Sequence, residues 1–206
     1  GRKWHFKLYN LLVCDSSETA AKESSWTLRC HDEAFFCEAS EKWSADDLTP
    51  EAQLTIKRTK RFRDGYAMEE LDGDVEMYQS MFKRCSDIVA ATVQRAIDSK
   101  KLEVRPGKKQ FELFSADFMF DMTLDKVYAI EFNFSPVLFD PHANQELTTA
   151  GLKKYDTLFQ LHGEKAEIND HAMIKDAVSI VFFPKEAMKN SGDNGNVGGW
   201  RVIQSF

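Results

Sequence analysis

The sequence predicts an α+β fold in which an antiparallel sheet is flanked by helices. Three observations carry that expectation. Residues 111–122 and 127–134 each alternate apolar and polar side chains across a short break, the pattern of a β-hairpin. Residues 75–101 repeat apolar side chains at spacings of three and four, which makes an amphipathic helix of about seven turns. At 206 residues the chain is long enough for one domain with a proper core.

Taken in order, WHFKLYNLLV (Trp4 to Val13) sets Phe6, Leu8, Asn10 and Leu12 against Lys7, Tyr9 and Leu11, a strand by its period of two. Residues 14–25 are polar and make a connection. Trp26–Cys30 and Glu33–Ala39 read as two further short strands, antiparallel by their closeness. Asp46, Asp47 and Pro50 supply cap and breaker residues, and the chain to Gly65 is expected to be irregular. Inside it, Lys57 to Arg63 carries five positive charges in seven residues and is followed by Glu69, Glu70, Asp72 and Asp74. That run admits three readings: a solvated loop partly neutralised by its acidic neighbours, a cradle for phosphate or an acidic peptide, and a nuclear-localisation signal.

The helix from Val75 to Lys101 presents Met77, Met81, Phe82, Cys85, Ile88, Val89, Val93, Ala96 and Ile97 as a packing stripe. Asp72 and Asp74 near its start and Lys100 and Lys101 near its end match the sign of the helix dipole. Arg105 to Lys109 then breaks the helix and leads into the hairpin. On its even face stand Phe114, Ala116, Phe118 and Phe120, with Tyr128, Ile130, Phe132 and Phe134 expected beside them as core. The odd face holds Ser115, Asp117 and Asp121 on one arm and Glu131 and Asn133 on the other. Asp117 can face Glu131 only if the connection near residues 123–126 has an odd number of residues or a bulge shifts the register.

After Pro136 the chain predicts a loop with Asp140 and Pro141, then a helix around residues 145–161. A last helix, roughly Asn169 to Phe182, should bury Ile174, Val178, Val181 and Phe182 and stop before Pro184. Residues 1–185 are read as one lobe and 186–206 as a flexible tail, rich in glycine and asparagine over 190–199, with Trp200, Val202, Ile203 and Phe206 available to dock.

Composition narrows the function. Hydrophobic residues make up 43% and charged residues 29%, the balance of a folded globular protein and not of a disordered one. No apolar run approaches a membrane span and the first residues are no signal peptide, so a cytoplasmic location without membrane contact is expected. A net charge of −6 argues against general nucleic-acid binding. Cys14, Cys30, Cys37 and Cys85 lack a CxxC pair and suit reduced, buried thiols better than disulfides or a zinc site built from Cys30, His31 and Cys37.

Asp117, Glu131 and Asn133 converge two carboxylates and an amide oxygen on one patch of sheet. Buried carboxylates without a positive neighbour are costly, so the patch is either solvated or holds a cation. Oxygen-only ligands favour a hard ion such as Mg²⁺; the alternative is the ordinary solvent-facing side of an antiparallel sheet.

The motifs FELFSADFM (111–119) and VYAIEFNFSP (127–136) resemble the "FxLFGFDFM…(V/L)IEVNxxP" signature of the tubulin tyrosine ligase family, whose catalytic fold is the ATP-grasp. GRKWHFK (1–7) is similar to its "RKFDIRxWVLV", QLT (53–55) to its "HLTN", and DAVSIVFFP (176–184) to a helix ending in "VFPP". The resemblance implies the C-terminal lobe of an ATP-grasp fold and a ligase that uses ATP and Mg²⁺ to join a free amino acid to carboxylates of tubulin's acidic C-terminal tail through an acyl phosphate. It assigns Asp117, Glu131 and Asn133 to Mg²⁺ and Lys3, His5, Gln53 and Thr55 to the nucleotide. Lys7 takes a catalytic place facing phosphate or the acyl group. His5 stands where the family has an aspartate, Lys7 and Cys37 where it has arginines, Gln53 for a histidine and Ile56 for an asparagine. The same features fit a non-catalytic tubulin- or partner-binding module on a degenerate scaffold. The family further implies a cytoskeleton-associated monomer. Its enzymes place further nucleotide-binding parts before the segment resembling residues 2–7, so this stretch alone is expected to bind ATP weakly or not at all. Which amino acid is added stays open.

Overall fold

The computed structural model describes residues 1–14, 25–55, 58–62, 75–105, 107–121, 125–134, 171–189, 191 and 194–206. The expected loop after Pro136 and helix at 145–161 lie outside the described residues, as does Ile56. In chain order the elements are β1 (Trp4–Cys14), β2 (Trp26–Glu38), α1 (Pro50–Gln53), β3 (Arg58–Phe62), α2 (Val75–Asp98), β4 (Gln110–Asp121) and β5 (Lys126–Asn133). They are followed by a helix α3 over residues 171–182, by α4 (Pro184–Lys189) and by β6 (Trp200–Ser205). The α+β expectation holds: every strand pairing is antiparallel, in the order β3-β2-β1-β4-β5 with β6 also on β2.

β1 lies at the centre of this sheet, which explains why it is apolar at both parities. Its even residues Phe6, Leu8 and Leu12 join Phe114, Ala116 and Phe118 of β4 and Met81, Phe82, Cys85 and Val89 of α2 in one core. Its odd residues Tyr9, Leu11 and Val13 join Met173, Ala177, Ile180 and Val181 of α3 and Trp200 in a second core on the opposite face. Asn10 is buried on the α2 side yet satisfied: its amide donates to the Leu8 carbonyl at 3.1 Å and its oxygen accepts from Cys30 Sγ at 3.0 Å.

α2 ends as the charge pattern anticipated, three residues before Lys101. Lys100 adopts φ 57°, the Lys101 N–H bonds to Ala96 O at 2.8 Å and the Lys100 N–H to Ile97 O at 2.9 Å, a Schellman cap made without glycine.

Four expectations are corrected. The segments Trp26–Cys30 and Glu33–Ala39 do not pair with each other; they are one strand, β2, that runs against β1 throughout. Residues 31–33 form a bulge opposite Tyr9, and that local break mimics a strand boundary in the sequence. Within the basic run, Arg58–Phe62 is not irregular, since it pairs with Ala34–Glu38 as β3. The buried face of α3 is Met173, Ala177, Ile180 and Val181, whereas Val178 and Phe182 are 43% and 55% exposed, and helical structure resumes at Pro184 as α4. Val181 is common to both faces, so the periodicity alone left the helix free to rotate. Finally, Trp200–Ser205 is not part of a flexible tail, because it pairs with β2 as β6 and Trp200 is fully buried, its indole N–H donating to Met173 O at 3.0 Å.

Candidate active site

α3 covers only one end of the odd face. At the other end the central strands present polar residues, and the register sets them in rows. Lys7 of β1 is opposite Asp117 of β4, which is opposite Glu131 of β5. Asp117 meets Glu131 through a bulge: Phe118 pairs with Ala129, so Ile130 is the extra residue. The bulge also corrects the expected core face of β5. Phe132, opposite Ala116, packs into the α2 core, whereas Tyr128, opposite Met119, is 48% exposed on the site's side of the sheet.

Asp117 is buried. Lys7 Nζ lies 3.0 Å from its Oδ1, an ion pair off the line of a hydrogen bond, so this buried oxygen accepts none. Burial pushes the Asp117 carboxyl above the usual carboxylate range, with the Lys7 ammonium pulling the other way. Glu131 is exposed and behaves oppositely: the Asn133 amide donates to its Oε1 at 2.9 Å and holds its pKa down. The paired carboxylates are thus split, one favouring its proton and the other its charge.

The residues expected at the nucleotide pair across the chain. Lys3 Nζ donates to Gln53 Oε1 at 2.5 Å, and His5 Nδ1 meets Thr55 Oγ1 at 2.6 Å. Pro50 at the first turn of α1 starts that short helix, and Gln53 is fixed by donating to the carbonyls of Ser44 and Asp47. His5 is buried; burial first and then the Lys7 charge pull its pKa from 6.5 to about 4, against Glu131. It is a neutral imidazole at physiological pH. All eight residues singled out in the sequence therefore fall in one neighbourhood: Lys3 with Gln53, His5 with Thr55, and Lys7 with Asp117, Glu131 and Asn133.

The donor set of Asp117, Glu131 and Asn133 fits a hard divalent cation, since it is oxygen-only and contains a buried oxygen without a hydrogen bond. Among the described residues no group of three or more His, Cys, Asp or Glu is assembled for a metal, and here the third ligand is an amide. A cation entering the trio would share Asp117 with Lys7 or displace it. Zinc at Cys30, His31 and Cys37 does not fit: Cys30 belongs to the α2 core and Cys37 to the α3 core, on opposite faces.

Sequence reasoning put Ser115 on the polar odd face but gave it no role. Its buried hydroxyl lacks a hydrogen bond and stands between Tyr9 and Asn133 in the row next to Asp117. Its odd-face position was the available signal. Tyr128 was missed for a different reason, because a bulge leaves no mark in an alternating pattern.

The family model of the tubulin-tyrosine ligase family matches residues 44–159, more than half of the chain. No curated protein matches it. The matched stretch contains Gln53, Thr55, Asp117, Glu131 and Asn133, and the tertiary pairing attaches Lys3, His5 and Lys7 to them. The chain belongs to the tubulin-tyrosine ligase family.

Proposed function

We propose that this site is the metal and phosphate end of an ATP-dependent carboxylate–amine ligase of the ATP-grasp type. The observation that carries the reading is the bulge-enforced pairing of Asp117 with Glu131, flanked by Asn133 on one side and Lys7 on the other. Asp117, Glu131 and Asn133 would hold Mg²⁺, which when bound neutralises charge on nucleotide phosphates. Lys7 keeps a positive charge beside them, and being partly exposed it can turn from Asp117 toward an anion. His5 stays neutral and orders Thr55, while Lys3 and Gln53 lock α1 against the start of β1. The chain supplies position and charge, and positioning is what such a reaction chiefly requires.

The acceptor we assign is the acidic C-terminal tail of tubulin, receiving a free amino acid, with the protein acting as a cytoplasmic, cytoskeleton-associated monomer. The support is electrostatic: Arg61 of β3 shares a register row with Phe35, Lys7, Asp117 and Glu131, so the basic strand lies in the sheet that bears the site. The test is a ligation assay with labelled amino acids on tubulin tails, comparing the protein with Glu131→Gln. Metal-dependent incorporation lost in the variant supports the ligase.

One observation favours a second reading, a non-catalytic tubulin-binding module. The Lys7 ammonium already stands 3.0 Å from Asp117, a positive charge in the neighbourhood a metal would share. No incorporation by either protein, with tail binding intact in both, selects that reading.

A further inference from the structure

The odd face holds a second polar feature far from the first. Under α3 and α4, Ser25, Thr27 and Arg29 of β2 and its approach, with Val13, Ile180 and Val197, line a cavity of about 150 Å³. Val13 is six positions from Lys7 along β1, a separation of about 20 Å at the rise of a strand, so this cavity is not part of the candidate active site.

Arg29 is the unusual member. It is only 8% exposed, and its Nη1 donates to Gly195 O at 2.7 Å. Its Nε is buried with no hydrogen-bond acceptor, and among the described residues no carboxylate stands within ion-pair distance. Burial lowers its pKa. An arginine remains charged regardless, so among the described residues this buried cation has no anion. Such a charge is normally paired, and a planar guanidinium pairs best with a planar two-oxygen anion. Ser25 and Thr27 add polar side chains, and the other described lining residues are apolar. A few convergent polar groups on an apolar concavity are the pattern of a small-molecule site.

We propose that this cavity binds a small organic carboxylate, its oxygens on Arg29 and its short aliphatic tail against Val13, Ile180 and Val197. The volume sets the size: a cavity of this order holds about six non-hydrogen atoms, as benzene does in an engineered one. The inference is independent of the ligase reading.

Butanoate is the probe, followed by thermal shift and by NMR titration of the protein. Butanamide, of the same shape without the charge, and inorganic phosphate, an anion without the tail, are the controls. The expected result is a saturable butanoate response at least tenfold weaker in Arg29→Met, weak responses to both controls, and unchanged binding in Glu131→Gln. Should Arg29→Met fail to fold, Ala187→Leu, which fills the cavity and leaves the charge, is expected to block binding. Equal responses to butanamide or phosphate, undiminished binding in the folded variants, or no saturable response would overturn the proposal.

Discussion

Asp117 stands directly across from Glu131, although the connection between their strands sets them one position out of step. Asp121 pairs with Lys126 across four residues, and an unbroken ladder from there would put Glu131 opposite Ala116, on the α2 core side. The extra residue Ile130 restores the pairing and puts Glu131 and Asn133 on the same face as Asp117 and Lys7.

Deletions test this register. Ile130 is 52% exposed, and removing it converts the bulge to a regular ladder that still leaves Glu131 opposite Asp117. Deleting Phe132 moves Asn133 opposite Ala116, out of the trio. Mn²⁺ titration followed by electron paramagnetic resonance is expected to show affinity within about threefold of the parent for the first deletion and more than tenfold weaker for the second. Equal losses in both would refute the role given to the register.

Asp117→Asn should stabilise the protein while weakening metal binding. The folded carboxyl holds its proton above its ordinary value of 3.8, chiefly through burial. Between that value and its raised one the folded state binds more protons than the unfolded, so stability attributable to this group falls as pH rises above 3.8. The variant lacks that loss, and Lys7 is exposed enough to be solvated alone. A gain of about 1 kcal/mol corresponds to a Tm higher by roughly 2–4 °C at neutral pH. A lower Tm would mean that the ion pair with Lys7 outweighs burial.

His5 predicts the opposite slope in a neighbouring window. Its folded pKa of about 4 lies below its ordinary 6.5, so the unfolded chain binds the extra proton between those values. Its contribution is therefore complete above pH 6.5 and lost as pH falls toward 4, amounting to at most about 3 kcal/mol. Urea unfolding from pH 4 to 7 is expected to show a shallower pH dependence for His5→Gln than for the parent. Identical slopes would show that folding does not shift the His5 pKa.

Closure of the sheet by β6 depends on two glycines and a tryptophan. A Cβ on Gly198, whose φ is +55°, would lie 1.8 Å from Asp176 Oδ2, and one on Gly199 would lie 2.5 Å from both Asp32 Oδ1 and His31 Nε2. Trp200→Ala empties the centre of the α3 core and removes the bond to Met173, a loss of about 3–5 kcal/mol for a fully buried large side chain. Gly198→Ala should destabilise by strain and not by a cavity. Denaturant midpoints for both variants near that of the parent would return the C-terminal segment to the status of a loose tail.

The legible part of the site was its inventory. Alternation in residues 111–134 put Asp117, Glu131 and Asn133 on a polar face and named the bulge as one of two ways to join them. The partnership of Lys3 with Gln53 and of His5 with Thr55 could not be read from spacing, because each joins residues fifty positions apart.

By itself the chain determined the parity of β4 and the span and polarity of α2. These follow from local periodicity, which one chain segment carries alone. Only the tertiary structure decided that β2 is continuous, which side of α3 is buried, that part of the basic run is a strand and that Trp200 seals the second core. The physical reason is common to all four. A bulge, a helix rotation, an edge pairing and a docking strand are chosen by what a distant segment offers to bury or bond, and that partner is absent from the local pattern.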